Sequence, residues 1–234
     1  MSDEEKKLIS ELASFISHQI KSPLAAIKGR ADLIVSGVRG ESNERIVEEA
    51  RQIMNIADRC IDLTNNILDL RRIEEGKMIY EFGEVSLKDL LQGLIKELEL
   101  LAERKGIKLI FENFDRDFKI QADKRKLHQA VQNIIDNGIK YTDSGEVTVG
   151  ANQVEGKSEV VIYVRDTGRG IDPKTIPNLF TKFTREAFEE KSLQGVGLGL
   201  FITKEIIEAH NGKVWVESLG RGKGSSFYIS LQTL

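Results

Sequence analysis

The sequence predicts an α+β chain in two parts: an N-terminal helical hairpin that pairs with a second copy into a dimeric four-helix bundle, then an α/β sandwich with helices on one face of a mixed sheet. Three observations predict it. Apolar residues in the first third of the chain recur at steps of three and four, the spacing of a helical seam. Beyond residue 75 the period changes, and capped helices alternate with short strand-like runs. Finally, 40% apolar and 30% charged residues over 234 positions are enough to bury a core.

The first helix is carried by Ile9, Ala13, Ile16, Ile20, Leu24, Ile27, Ala31, Ile34 and Val38, and stops at Gly37-Val38-Arg39-Gly40-Glu41-Ser42, where two glycines and a serine suit a turn and a new N-cap. A second stripe follows through Ile46, Ala50, Ile53, Ala57, Cys60, Thr64 and Ile67. Helices of about 30 residues reach about 45 Å at 1.5 Å per residue. One hairpin leaves much of so long an apolar face wet, and pairing two hairpins covers it, so a homodimer is expected. The boundary between the parts is placed near Arg71–Phe82, giving domains 1–75 and 76–234.

In the second part, Ser86-Leu87-Lys88-Asp89 is a capping box opening a helix to about Arg104, with Gly106 past its end. Ile107–Phe111 reads as a strand, 124–140 as a helix, and Val147/Val149 and Val160–Val164 as two strands. Asp172-Pro173 has the aspartate cap and first-position proline of a short helix. A further helix follows the glycines near 197 and ends at Asn211-Gly212, before strands at Lys213–Glu217 and Ser226–Ser230.

Composition narrows function by exclusion. A net charge of −3 does not suit a nucleic-acid partner, and the single cysteine, Cys60, allows neither an internal disulfide nor a cysteine-based zinc site. No apolar run approaches membrane-span length, and Met1-Ser2-Asp3-Glu4-Glu5 is too acidic for a signal peptide. This segment is expected to be soluble and cytoplasmic, on its own or as the cytoplasmic portion of a membrane-bound protein.

Five short segments carry chemistry. His18 lies two residues from both Ile16 and Ile20, so it points away from the seam, and Pro23 loosens the helix one turn later. A neutral imidazole there is a reachable nucleophile, although a lone surface histidine would look the same. Asn133, Asn137 and Lys140 share one helix face, able to offer amide oxygens to Mg²⁺ and an ammonium to phosphate, or simply a polar surface. Asp166-Thr167-Gly168-Arg169-Gly170-Ile171 puts a carboxylate at a strand end, where it accepts an amine or starts a turn. Gly195-Val196-Gly197-Leu198-Gly199 leads bare amides into a helix, a weak phosphate signal by itself. Gly222-Lys223-Gly224-Ser225-Ser226-Phe227 is not a P-loop, because glycine follows the lysine and Glu217 stands where the first glycine belongs. His128 reads as structural, His210 as a helix C-terminal residue where positive charge is favourable, and Trp215 as core.

His18, Pro23 and Leu24 match the H-box of two-component sensor histidine kinases, and the later segments resemble, in order, the N, G1, F, G2 and G3 boxes of their Bergerat-type ATPase domain, with Phe180-Thr181-Lys182-Phe183 as the F box. Gln19 stands where the family most often has an acid, Ser22 where threonine or asparagine is commoner, and Val196 where a hydroxyl residue is usual. The resemblance covers nearly the whole chain. It implies an ATP-dependent protein histidine kinase that phosphorylates His18 and passes the group to an aspartate of a response-regulator receiver domain. His18 would be the phosphoacceptor, flanked by the catalytic positions Gln19 and Ser22. Asn137 would bind Mg²⁺, with Asn133 and Lys140 near the phosphates, Tyr141 stacked on adenine and Asp166 accepting from its amino group. Gly168 and Gly170 would let the base approach, and Ile171, Phe183, Arg185 and Ser226 complete the implied ATP contacts. Gly195, Gly197, Leu198 and Gly199 would wrap the phosphates beneath a lid from about Thr181 to Gln194. Two rivals stay open at this level: a pseudokinase scaffold, suggested by Gln19 and Val196, and another ATPase of the same fold class, against which the hairpin carrying His18 speaks.

Overall fold

The structure is a computed structural model describing residues 23–34, 43–112, 114, 116–184 and 197–234. His18, Gln19, Ser22, Arg185, Gly195 and the expected turn at 37–42 lie outside the described residues. Two compact units divide the chain, Met1–Leu68 and Asp69–Leu234.

The first unit holds α1 (residues 23–34) and most of α2 (Asn43–Glu74). Arg30 Nη1 meets Glu49 Oε2 at 2.8 Å, and Glu49 is only 7% exposed. The inward face of α2 differs from the expected stripe. Glu49 and Leu63 are buried, whereas Ile46, Ala50 and Thr64 are exposed. The reason is a second apolar series on the same helix. Val47, Met54, Ile61 and Leu68, spaced seven apart, are 54, 65, 57 and 46% exposed. A helix with apolar residues on two faces does not reveal by periodicity which one its own hairpin covers.

The second unit runs β1 (Gly83–Ser86), α3 (Leu87–Lys105), β2 (Ile107–Phe111), β3 (Lys119–Ala122), α4 (Lys124–Tyr141), β4 (Gly145–Gln153), β5 (Glu159–Asp166), a 3₁₀ turn at Ile176–Asn178, α5 (Gly199–Ala209), β6 (Lys213–Glu217) and β7 (Ser225–Gln232). Five strands form one sheet in the order β2-β4-β5-β7-β6, with β2 and β4 parallel and all other pairs antiparallel. β1 and β3 make a separate two-stranded antiparallel sheet.

The helices start and stop where side chains satisfy their loose backbone groups. Ser86 Oγ accepts from Asp89 N at 3.1 Å, and Gly106 closes α3 at φ 74°. Asp123 caps α4, accepting from Lys126 N at 3.0 Å, and also holds Glu81 N at 2.9 Å. Those backbone donors hold its carboxyl below the ordinary range although burial pushes the other way. His210 ends α5 with both ring nitrogens engaged. Its Nδ1 donates to Ile206 O at 2.7 Å and its Nε2 accepts from Asp123 N at 2.9 Å, a pairing that only the Nδ1–H tautomer satisfies. The short helix expected to start at Asp172-Pro173 begins later, as the 3₁₀ turn at Ile176–Asn178. Before it, Asp172 Oδ1 accepts from Lys174 N at 3.0 Å and its carbonyl from Thr175 N at 2.8 Å, which makes a turn first.

All three helices pack on one sheet face. Leu87, Leu91 and Leu94 of α3, Leu127, Ile134 and Ile135 of α4, and Ile202, Ile206 and Ile207 of α5 are at most 1% exposed, as are Val147, Val149, Val160 and Ile162 beneath them. Gly138 lets α4 lie close, since a Cβ there would stand 3.2 Å from Val147 Cγ1. Across the opposite face, Gly150, Tyr163, Tyr228 and Trp215 stand in register. Trp215 is therefore not in the core; it stacks half-buried on Tyr228 with centroids 5.1 Å apart. Among the described residues, no helix is long and apolar enough to cross a membrane.

Candidate active site

The site is built where α4, the end of β5, the start of α5 and the loop before β7 meet. α4 buries Leu127, Val131, Ile134 and Ile135, which leaves Asn133, Asn137 and Lys140 half-buried on its other face. Asn133 Nδ2 reaches Gly199 O at 3.4 Å, joining this face to the first residue of α5. Lys140 Nζ donates to Tyr141 Oη at 2.8 Å and lies 4.5 Å from that ring's centroid. At the end of α4, Lys105 Nζ donates to the carbonyls of Ile139, at 2.6 Å, and Lys140. Burial holds that ammonium below the ordinary lysine range.

Asp166 ends β5. Its Oδ1 accepts from Gly168 N at 2.9 Å and Ser225 N at 3.3 Å, and its Oδ2 accepts from the Ser225 hydroxyl. This fixes the carboxylate's direction while leaving Oδ2 acceptor capacity for an incoming amine. Ser225, not Ser226, is thus the residue beside Asp166. Ser226 pairs with Arg165 and Glu217, and because side chains alternate along a strand it faces away from the helices. The signal was available in sequence: Ser225, Phe227 and Ile229 share parity, and the last two are core.

A Cβ on Gly170 would lie 2.1 Å from Gly220 O, and one on Gly224 would lie 2.0 Å from Asp166 O. Gly224 N donates to Gly168 O at 3.1 Å and Gly222 N to Arg169 O at 2.6 Å. The bare Cα atoms of Gly170 and Gly224 therefore let two loops interlock. Ile171 belongs to the same clasp, 8% exposed with its N–H on Ser218 Oγ at 3.0 Å. Arg169 ties the clasp to α4 through its N–H on Tyr141 O and a paired contact with Asp143 at 2.9 and 2.8 Å.

Phe183 takes φ 62° and its N–H donates to Gly197 O at 2.9 Å, drawing together the chain on either side of residues 185–196. Leu198 is 1% exposed, so only its backbone can face a ligand. Among the described residues no side chain caps the start of α5, and no acid lies in its first turn, which leaves its amides suited to an anion. Among the described residues no group of three His, Cys, Asp or Glu side chains could hold a metal ion. The donor set still fits Mg²⁺, which takes one or two protein oxygens and completes its shell with phosphates and water; Asn137 would supply such an oxygen. A separate cavity of about 310 Å³, lined by Phe82, Gln121, His210 and Leu231 among others, involves none of these residues.

The family described as histidine kinase-, DNA gyrase B-, and HSP90-like ATPase matches residues 122–234, and the His Kinase A (phospho-acceptor) domain matches residues 8–76. The chain belongs to the sensor histidine kinases. The chain is 31% identical to the histidine protein kinase DivJ of Caulobacter vibrioides over 220 residues, covering 94% of the chain and 36% of DivJ. It is 32% identical to the sensor protein GacS of Pseudomonas syringae pv. syringae, covering 98% of the chain and 25% of GacS. The chain thus spans well under half the length of these curated relatives. Among solved structures, full-length ShkA in complex with AMPPNP matches with a TM-score of 0.68 at 25% identity, over 95% of this chain and 46% of that one.

Proposed function

We propose that this chain is the catalytic part of a sensor histidine kinase, with residues 1–75 as dimerisation and phosphotransfer hairpin and 76–234 as ATP-binding domain. The observation that carries the reading is Asp166, held by three donors at a strand end within the cluster that also contains Asn133, Lys140 and the uncapped start of α5. In this reading Asp166 Oδ2 accepts the adenine 6-amino group. Tyr141 covers the ring, and Lys140 leaves Tyr141 for a phosphate. The amides at Leu198 and Gly199 meet the phosphate chain. Asn137 would hold Mg²⁺, and the ion would supply neutralisation of charge on the transferred group. The His18 imidazole attacks the γ-phosphorus, a nitrogen–phosphorus bond forms, and the bond to the bridging oxygen breaks with its electron pair leaving on ADP. The phosphoryl group then passes to a receiver-domain aspartate. Homodimerisation rests on the exposed α2 series, and a cytoplasmic location fits a kinase reading ATP.

The test is incubation with γ-labelled ATP. Wild-type protein is expected to take up label that is acid-labile and base-stable, as phosphohistidine is. His18→Ala and Asn137→Ala should each lose it, and mixing the two distinguishes transfer within a subunit from transfer between subunits. Label retained in His18→Ala would overturn the assignment.

A further inference from the structure

Thr142 follows the last residue of α4 and adopts extended backbone angles, φ −98° and ψ 114°. It is 0% exposed, and among the described residues its hydroxyl has no hydrogen-bond partner. Native proteins pair nearly all buried polar groups, so such an atom calls for a reason. Packing alone does not supply one, because valine fills the same volume without stranding a hydroxyl. Position does. The point that a Cβ on Gly168 would occupy lies 2.8 Å from Thr142 Oγ1, 2.8 Å from Asp166 Oδ1 and 2.5 Å from Tyr141 O. The unpaired hydroxyl and the fixed carboxylate therefore flank the same bare Cα. Asp166 Oδ1 is already engaged by Gly168 N and Ser225 N, so it does not take the hydroxyl's proton in this state.

The geometry points to Thr142 as a ligand-dependent positioning residue of the purine pocket. Resting on the nucleotide reading above, the inference is that an adenine entering on Asp166 shifts the Gly168 turn. The Thr142 hydroxyl then gains a hydrogen bond to the polar edge of the ring, directly or through one water. The unliganded protein carries the cost of the stranded hydroxyl, and the bound state recovers it, which turns a local defect into affinity.

Two opposite changes in one variant test this. In the full chain, Thr142→Val is expected to raise the ligand-free Tm by about 2–4 °C. The same variant is expected to bind AMPPNP about five- to tenfold more weakly, by calorimetry, the effect of one lost hydrogen bond. In the kinase assay the KM for ATP should rise with kcat unchanged. Thr142→Ser keeps the hydroxyl and should bind within about twofold of wild type. A lowered ligand-free Tm in Thr142→Val, with affinity held, would mean the hydroxyl is already paired and overturns the inference. So would a serine variant that binds as poorly as the valine one. If wild-type protein shows no AMPPNP binding at all, the nucleotide reading fails and this one with it. Binding by wild type that Thr142→Val does not diminish defeats this inference alone.

Discussion

Gly170 takes φ 65° with its Cα against the Gly220 carbonyl, and Gly224 takes φ 66° against the Asp166 carbonyl. Both conditions, left-handed backbone and no room, forbid a side chain. Gly170→Ala is therefore expected to cost about 3 kcal/mol, seen as a lower urea midpoint by Trp215 fluorescence. It should also weaken AMPPNP binding, because the displaced loop carries Ser225, which orients Asp166. An alanine variant as stable as wild type would show that the clasp opens freely. At this scale motif spacing revealed Asp166 and the loops around it. Strand parity was needed to choose Ser225 over Ser226, and spacing contained nothing about Thr142, whose interest lies in a bond it does not make.

At the scale of elements, what was legible followed from local chemistry. Ser86 and Gly106 bracket α3, because caps are satisfied within a few residues of themselves. What was not legible is settled at long range. Four-residue β1 and β3 exist through pairing with each other, and β2 runs parallel to β4 through a crossover that includes α4. The Asp172-Pro173 signal placed the short helix a few residues early, because turns and helix starts use the same aspartate cap. A long-range network also fixes α4. Lys126 Nζ meets both Asp69 oxygens at 3.0 and 3.2 Å, and Gln129 Nε2 donates to Asp69 Oδ2 at 2.8 Å, with both charged side chains under a tenth exposed. A buried pair holds position more than it adds stability, since desolvation offsets much of the attraction. Removing one partner is another matter. Lys126→Met strands the Asp69 carboxylate and is expected to cost about 3 kcal/mol, at the low end for a broken buried pair because Arg72 Nη1 lies 3.9 Å away. Adding Asp69→Leu should recover most of that loss. A double variant no more stable than Lys126→Met would show that the network contributes packing rather than charge.

For the whole molecule the decisive surface is the series on α2. Val47, Met54, Ile61 and Leu68 repeat every seven residues, and Ala50, Ala57 and Thr64 fill the alternate positions, which together make a coiled-coil seam. The four large members are each close to or above half exposed, while the buried positions Glu49 and Leu63 lie on another face of the helix. Scattered apolar side chains on a surface need no explanation, but a continuous heptad row does. A second copy of the same helix satisfies it with the least new information, because a two-fold axis places each residue against its own kind of neighbour. Met54→Glu with Ile61→Glu would bury two like charges per helix without partners. The double variant is expected to sediment as a monomer at concentrations where wild type is a dimer, a weakening of roughly 100-fold or more. Its ATP unit keeps its own core, so AMPPNP affinity should stay within about twofold of wild type. Wild-type protein that sediments as a monomer at all accessible concentrations would leave the seam without this partner and remove the dimer from the proposal.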